Sequence, residues 1–99
     1  MTNQSHLASP EELESAFQLE LATDKWAAAE TSYALALLLR DSGESDRSRE
    51  WATKCLELLA GLPTDSLSDV APRRHTVGGI SLPNYLHEGV VRDRFNLIA

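Results

Sequence analysis

Two arginines and a histidine in a row, Arg73-Arg74-His75, stand just ahead of Gly78-Gly79, and they are the residues in this 99-residue chain best suited by type to chemistry. Guanidinium groups present forked donors that match carboxylate and phosphate oxygens, and glycines let backbone amides converge on an anion. The spacing is not that of a phosphate-binding loop. A basic segment on an acidic chain also has a simpler use, which is to dock on the chain's own carboxylates. Two readings follow. One is an anion-binding or small catalytic protein built on Arg73, Arg74, His75 and His87; the other is a structural or partner-facing segment, to which Tyr85, His87 and Arg92 add surface.

The other reactive side chains point away from catalysis. Cys55 is a conceivable nucleophile or metal ligand, but it shares a helical stripe with Trp51 and Leu59, where free cysteine behaves as a small buried hydrophobe. His75 and His87 have no paired Cys-x-x-Cys or His-x-x-x-His spacing around them, and His87-Glu88 opens like a zinc-protease motif without the second histidine. Glu11-Glu12 reads as a helix start favoured by the helix dipole. Trp26, Trp51, Tyr33 and Tyr85 are core residues or partner anchors, and aromatics on a helical stripe are more often core. The expectation is a protein without catalytic residues, metal or cofactor, and not an enzyme.

The elements that must position these residues are legible from periodicity. Ser9, Pro10, Glu11 and Glu12 form a helix start with a capping box, followed by a stripe of Leu13, Ala16, Phe17 and Leu21. Thr23 and Asp24 are candidate caps for a second helix, so the spacing predicts a break there, with one long bent helix as the alternative. From Trp26 to Arg40 the chain is apolar on nearly every side, the mark of a central helix packed by several neighbours. Ser42-Gly43 ends it, Ser45 is placed to cap the next helix, and the short link makes the two antiparallel. That third helix carries Trp51, Ala52, Cys55, Leu58 and Leu59 on one face and stops at Gly61-Leu62-Pro63.

The last third differs. Ser66 to Asp69 predicts a single helical turn ended by Pro72. Gly78-Gly79 lies between the triplets His75 to Val77 and Ile80 to Leu82, which predicts either a tight hairpin leaning on the helices or an ordered loop. From Asn84 onward Leu86, Val90, Val91, Phe95, Leu97 and Ile98 form a two-row stripe, with Glu88 four residues before Arg92, and predict a fourth helix weakened at Gly89.

Length and a hydrophobic fraction of 42% suit one soluble domain, with a radius of gyration of about 13 Å. The net charge of -6 is concentrated in residues 1 to 61, which hold eleven acids against five bases. Such a surface disfavours nucleic acid, whose binding needs clustered Lys and Arg. A lone cysteine fits a reducing compartment, the first residues lack export chemistry, and the longest apolar run, Ala34 to Leu39, is too short for a bilayer. A cytoplasmic protein with no membrane partner is expected.

From Leu35 and the small Ala36, through a Gly43-Glu44 turn, to Lys54-Cys55-Leu56-Glu57-Leu58, the chain resembles one degenerate tetratricopeptide repeat over about a third of its length. Small residues at helix crossings let such a pair pack closely. Ser48 stands where the repeat has a small residue early in its second helix, and Arg49 replaces the large apolar residue usual beside it. Residues 25 to 30 continue as helix where the repeat has its turn, and no second copy follows at that period. The resemblance implies a single hairpin completed by the first helix and the tail, and protein or peptide binding over catalysis.

The fold expected is therefore all-α: a frayed N-terminus (1–8), an antiparallel three-helix core (9–62), a Pro/Gly-rich loop or hairpin segment (63–83) and a C-terminal helix (84–99). The function expected is an adaptor or accessory subunit that binds another protein or peptide through a helical groove and its tail. A twofold homodimer through the apolar rows of residues 82 to 98 is the further alternative.

Overall fold

Why the chain turns back on itself at Asp24 explains most of the architecture. A computed structural model describes residues 8–62 and 71–97; the expected frayed end at 1–7, the single turn at 66–69 and Ile98 lie outside the described residues. Helix α1 runs Pro10–Thr23, and the capping box forms as the sequence predicts: the Glu12 amide donates to Ser9 Oγ at 3.2 Å and the Ser9 amide to Glu12 Oε1 at 2.8 Å. Asp24 then adopts extended backbone (φ −155°, ψ 96°), closing α1 with its own amide and starting α2 with its carboxylate, which accepts from the Trp26 and Ala27 amides. One residue thus serves as stop and start, and the helices are separate. Without a Gly or Pro at the break, this side-chain competition for backbone amides ends the helix.

Helix α2, Lys25–Asp41, is central: Trp26 and every residue from Ala28 to Leu39 are buried. It packs against α1 on one side and helix α3, Ser45–Ala60, on the other. The turn between α2 and α3 is a Schellman closure. Gly43 takes φ 84°, its amide reaches Arg40 O at 3.0 Å, and the Glu44 amide reaches Leu39 O at 2.9 Å. Glu44 occupies the cap of α3 and supplies no side-chain acceptor, so Ser45 is the first helical residue and not the cap that its type predicts. The reason is the glycine: the two-residue closure consumes Gly43 and Glu44 and places helical backbone at Ser45. Small residues then allow a close crossing. Ser48 is buried on α3 and its hydroxyl donates to Ala36 O of α2 at 2.7 Å, while Ala29 and Ala52 are fully buried.

The tail closes the remaining face. Strands β1, Thr76–Val77, and β2, Ile80–Ser81, pair antiparallel, with Gly78 and Gly79 both at positive φ (57° and 84°) as a tight hairpin turn requires. The hairpin is the form adopted, and it leans on the start of α1: the Ala8 amide donates to Gly78 O at 2.9 Å, and a Cβ on Gly78 would lie 2.9 Å from Ala8 Cβ and Leu13 Cδ2. Ala8, expected in the frayed end, is therefore held in place. Helix α4 is shorter than its apolar stripe predicts, spanning only Glu88–Arg94. His87 is extended and its Nδ1 accepts from the Gly89 amide, which starts the helix four residues after Asn84. Asn96 at φ 57° ends it, with the Leu97 amide on Arg92 O at 2.8 Å. Apolar spacing marks which residues are inside, but the caps decide where helical backbone begins and ends.

Leu86, Val91 and Phe95 of the tail join one core with Leu13, Phe17, Tyr33, Trp51 and Leu59. Edge-to-face ring pairs fix two of its seams: Phe17 on Trp51 at 4.8 Å between α1 and α3, and Tyr33 on Phe95 at 5.5 Å between α2 and the end of α4. The molecule is thus a small, mostly α bundle with a two-stranded hairpin, and its radius of gyration of 13.0 Å matches the value expected for its length. No helix among the described residues is long and apolar enough to cross a membrane.

Candidate functional site

Glu30 lies in the middle of α2 and is only 1% exposed, which a carboxylate tolerates only if it is paired and hydrogen-bonded. Both of its oxygens are met by the segment that the sequence singles out. Oε2 accepts the Arg73 backbone amide at 2.7 Å, and Oε1 accepts Arg74 Nε at 2.7 Å. Arg74 reaches further. Its Nη2 donates to Ala27 O at 2.8 Å and to Thr31 Oγ1 at 3.3 Å, and its Nη1 lies 3.5 Å from Glu20 Oε2 on α1. Thr31 in turn donates to Glu20 Oε1 at 2.6 Å. The Arg73 guanidinium sits 5.6 Å over the Trp26 ring. One arginine therefore ties the tail to two helices, and its fork is occupied by the protein's own oxygens.

The six residues singled out in the sequence do not come together. Arg73 and Arg74 lie on α2, with Arg74 also touching α1; His75 is exposed, and its carbonyl accepts the Leu82 amide across the hairpin. His87 is spent on capping α4. Arg92 is exposed, 3.7 Å from Glu88, and donates weakly to Leu97 O at 3.4 Å. Tyr85 stands 42% exposed in the loop before α4, next to Leu86, which is fully buried. Among the described residues no hydrogen bond or ion pair joins Arg73, Arg74 or His75 to His87 or Arg92.

Cys55 is buried between α2 and α3, its thiol donating to Ala29 O at 3.4 Å. Burial pushes the thiol up to about 12, with a smaller opposing effect from the Ser32 hydroxyl. An unfolded thiol loses its proton near pH 8.5 while the folded one keeps it, so stability is lost as pH rises, by about 1.4 kcal/mol per unit up to about pH 12. In urea melts between about pH 8 and about pH 10.5, the wild type should lose roughly 2–3 kcal/mol more than Cys55→Ala over the same range. Equal slopes for the two proteins would show that the buried thiol does not titrate this way.

A second arginine group has no counterpart in the sequence reading. Arg40 at the end of α2, Arg49 in the first half of α3 and Arg94 at the end of α4 line one cleft together with Ser45, Ser48 and Phe95. The Tyr33 hydroxyl receives Arg94 Nε at 3.4 Å and holds that guanidinium above its usual range. Arg40 Nη1 donates to Arg94 O at 3.1 Å, a contact between residues 54 positions apart. No local spacing links these arginines. Arg40 reads from sequence only as the end of the central helix, and Arg49 as a departure from the repeat pattern.

Comparison of the chain with family models, curated proteins and solved structures finds no match to any of them.

Proposed function

We propose that this chain is a non-enzymatic interaction module that binds another protein or peptide, with the tail as its contact surface. The observation that carries the reading is the pairing of Leu86 and Tyr85. Leu86 is fully buried and anchors the loop before α4, while the adjacent Tyr85 presents an aromatic ring that is 42% exposed. Aromatic rings held at low conformational cost are the usual energetic centres of interfaces. Leu19 of α1, 69% exposed, is the other large apolar side chain open to solvent among the described residues. The alternative of an anion site on Arg73, Arg74 and His75 is weakened by the commitment of the Arg74 fork to Glu20, Glu30 and Ala27 O.

Point substitutions suit the test better than removal of the tail, since removal would strip Arg74 from the buried Glu30, take Val77, Leu86, Val91 and Phe95 out of the shared core and uncover Tyr33, which packs on Phe95. The full chain and its Tyr85→Ala variant are used as bait in parallel, each checked by circular dichroism. A partner captured by the wild type should bind the variant at least tenfold more weakly, a loss of about 1.4 kcal/mol or more. Retention of the partner at unchanged affinity would remove Tyr85 from the interface. Light scattering over a concentration series separates the homodimer, which would raise the mass to twice that of one chain.

A further inference from the structure

The cleft lined by Arg40, Arg49 and Arg94 is separate from Tyr85 and from the Arg74 contacts, and its charge is at odds with the rest of the molecule. The chain carries a net charge of −6, yet three of its seven arginines border one opening of about 240 Å³. Their positive charge is only partly offset: Asp93 and Asp41 attract the Arg94 guanidinium, though less strongly than the Tyr33 contact acts on it. Among the described residues the only carboxylate paired with any of the three is Asp41, 3.8 Å from Arg40 Nε. By contrast, Arg47, Arg74 and Arg92 each have a glutamate partner. Two of the cleft arginines are held in position by neutral groups: Arg40 by Arg94 O and the Phe95 ring, whose centroid is 5.7 Å from its guanidinium, and Arg94 by the Tyr33 hydroxyl. Neutral partners orient a guanidinium without cancelling its charge. That arrangement is what an anion site needs and what a structural ion pair lacks.

The shape favours a particular anion. A carboxylate has two oxygens and is satisfied by one or two forks, whereas three arginines arriving from three different helices suit a tetrahedral group with more acceptors. Ser45 and Ser48 on the first turn of α3 add hydroxyl-bearing walls, although the Ser48 proton is already given to Ala36 O. Phe95 supplies an apolar wall beside the charged ones, against which an organic substituent can pack. We infer that the cleft between the ends of α2 and α4 and the start of α3 binds a phosphate group, either free or as a small phosphate monoester.

The test uses the full chain and calorimetric titration with inorganic phosphate and with phenyl phosphate, acetate at matched ionic strength being the control. Saturable binding of one phosphate per chain is expected, weakening as salt rises. Tighter binding of phenyl phosphate identifies the monoester as the ligand form, and equal binding identifies the free ion. Arg49→Gln should lower the affinity at least tenfold with an unchanged melting temperature for the unliganded protein, because Arg49 is exposed and forms no ion pair among the described residues. Should that variant fold poorly, Arg49→Lys keeps the charge, removes the fork and should weaken binding to a smaller extent. Arg92→Gln, on the Glu88 side of α4, should leave affinity unchanged. The assignment is overturned if phosphate shows no saturable binding, if acetate binds as well as phosphate, or if Arg49→Gln binds as tightly as the wild type.

Discussion

Arg74→Ala should destabilise the protein by about 3–5 kcal/mol, the cost of leaving a buried carboxylate without its cation. Glu30 is 1% exposed, whereas the Arg74 side chain is 36% exposed, so the penalty arises at the glutamate and not at the arginine. Truncation removes the Nε donor to Glu30, the Nη2 donor to Ala27 O and the approach to Glu20 in one step. For a chain of this length the melting temperature should fall by on the order of 15 °C or more. Arg74→Lys, which keeps the charge but not the three-way fork, should recover only part of the loss. The combination Glu30→Leu with Arg74→Met should be less damaging than the sum of the single changes, since it removes the stranded charge together with its partner. Thermal melts of the wild type, Glu30→Leu, Arg74→Met and the double variant decide the matter. Additive single effects would mean that Arg74 stabilises by covering apolar surface and not by pairing with Glu30.

Phe17→Ala is the second large effect, about 4 kcal/mol, composed of lost burial, a residual cavity and a lost ring pair. Phe17 is 4% exposed and meets Trp51 edge to face at 4.8 Å, an aromatic contact across the α1–α3 seam. Against a total stability of about 5–15 kcal/mol for a domain of this kind, one such loss is a large share. Denaturant melts should show the drop, and Trp51 emission should move to longer wavelength in the folded variant as water reaches the ring. Phe17→Leu, which keeps most of the volume, should cost about 1.5 kcal/mol or less. If the alanine and leucine variants melt alike, the seam is loosely packed and the ring pair contributes little.

These two substitutions also divide what is readable in the chain from what is not. Phe17 belongs to a stripe at three- and four-residue spacing, Trp51 to another, and their burial follows from periodicity alone. The same local rules place the capping box at Ser9 and the glycine stop at Gly43, because each depends on residues within a few positions of one another, while at Gly78-Gly79 they leave hairpin and ordered loop open and the packed structure takes the hairpin. Local rules also mislead where two of them compete. The apolar rows after Asn84 suggest a long helix, but the His87 cap and the left-handed Asn96 confine α4 to seven residues.

The candidate sites were legible in type and not in geometry. Arg73-Arg74 is conspicuous in the sequence, and its residue types allow either anion binding or docking on the chain's own acids. That the acceptor is Glu30, 44 residues earlier and fully inside, depends on how the tail crosses α2. The cleft of Arg40, Arg49 and Arg94 had no local signal at all, because its members lie on three helices and meet only when α4 docks on the α2–α3 pair.

The amino-acid sequence by itself determined that there are helices in these stretches, the capping box of α1, the central and largely apolar character of α2, and the burial of Cys55, since spacing and residue type act over one or two turns. The tertiary structure alone decided which charges far apart in the chain face each other. It gave Glu30 to Arg74 and left three arginines around one opening, because electrostatic partners are chosen by distance in space, and packing sets that distance between residues far apart in the chain.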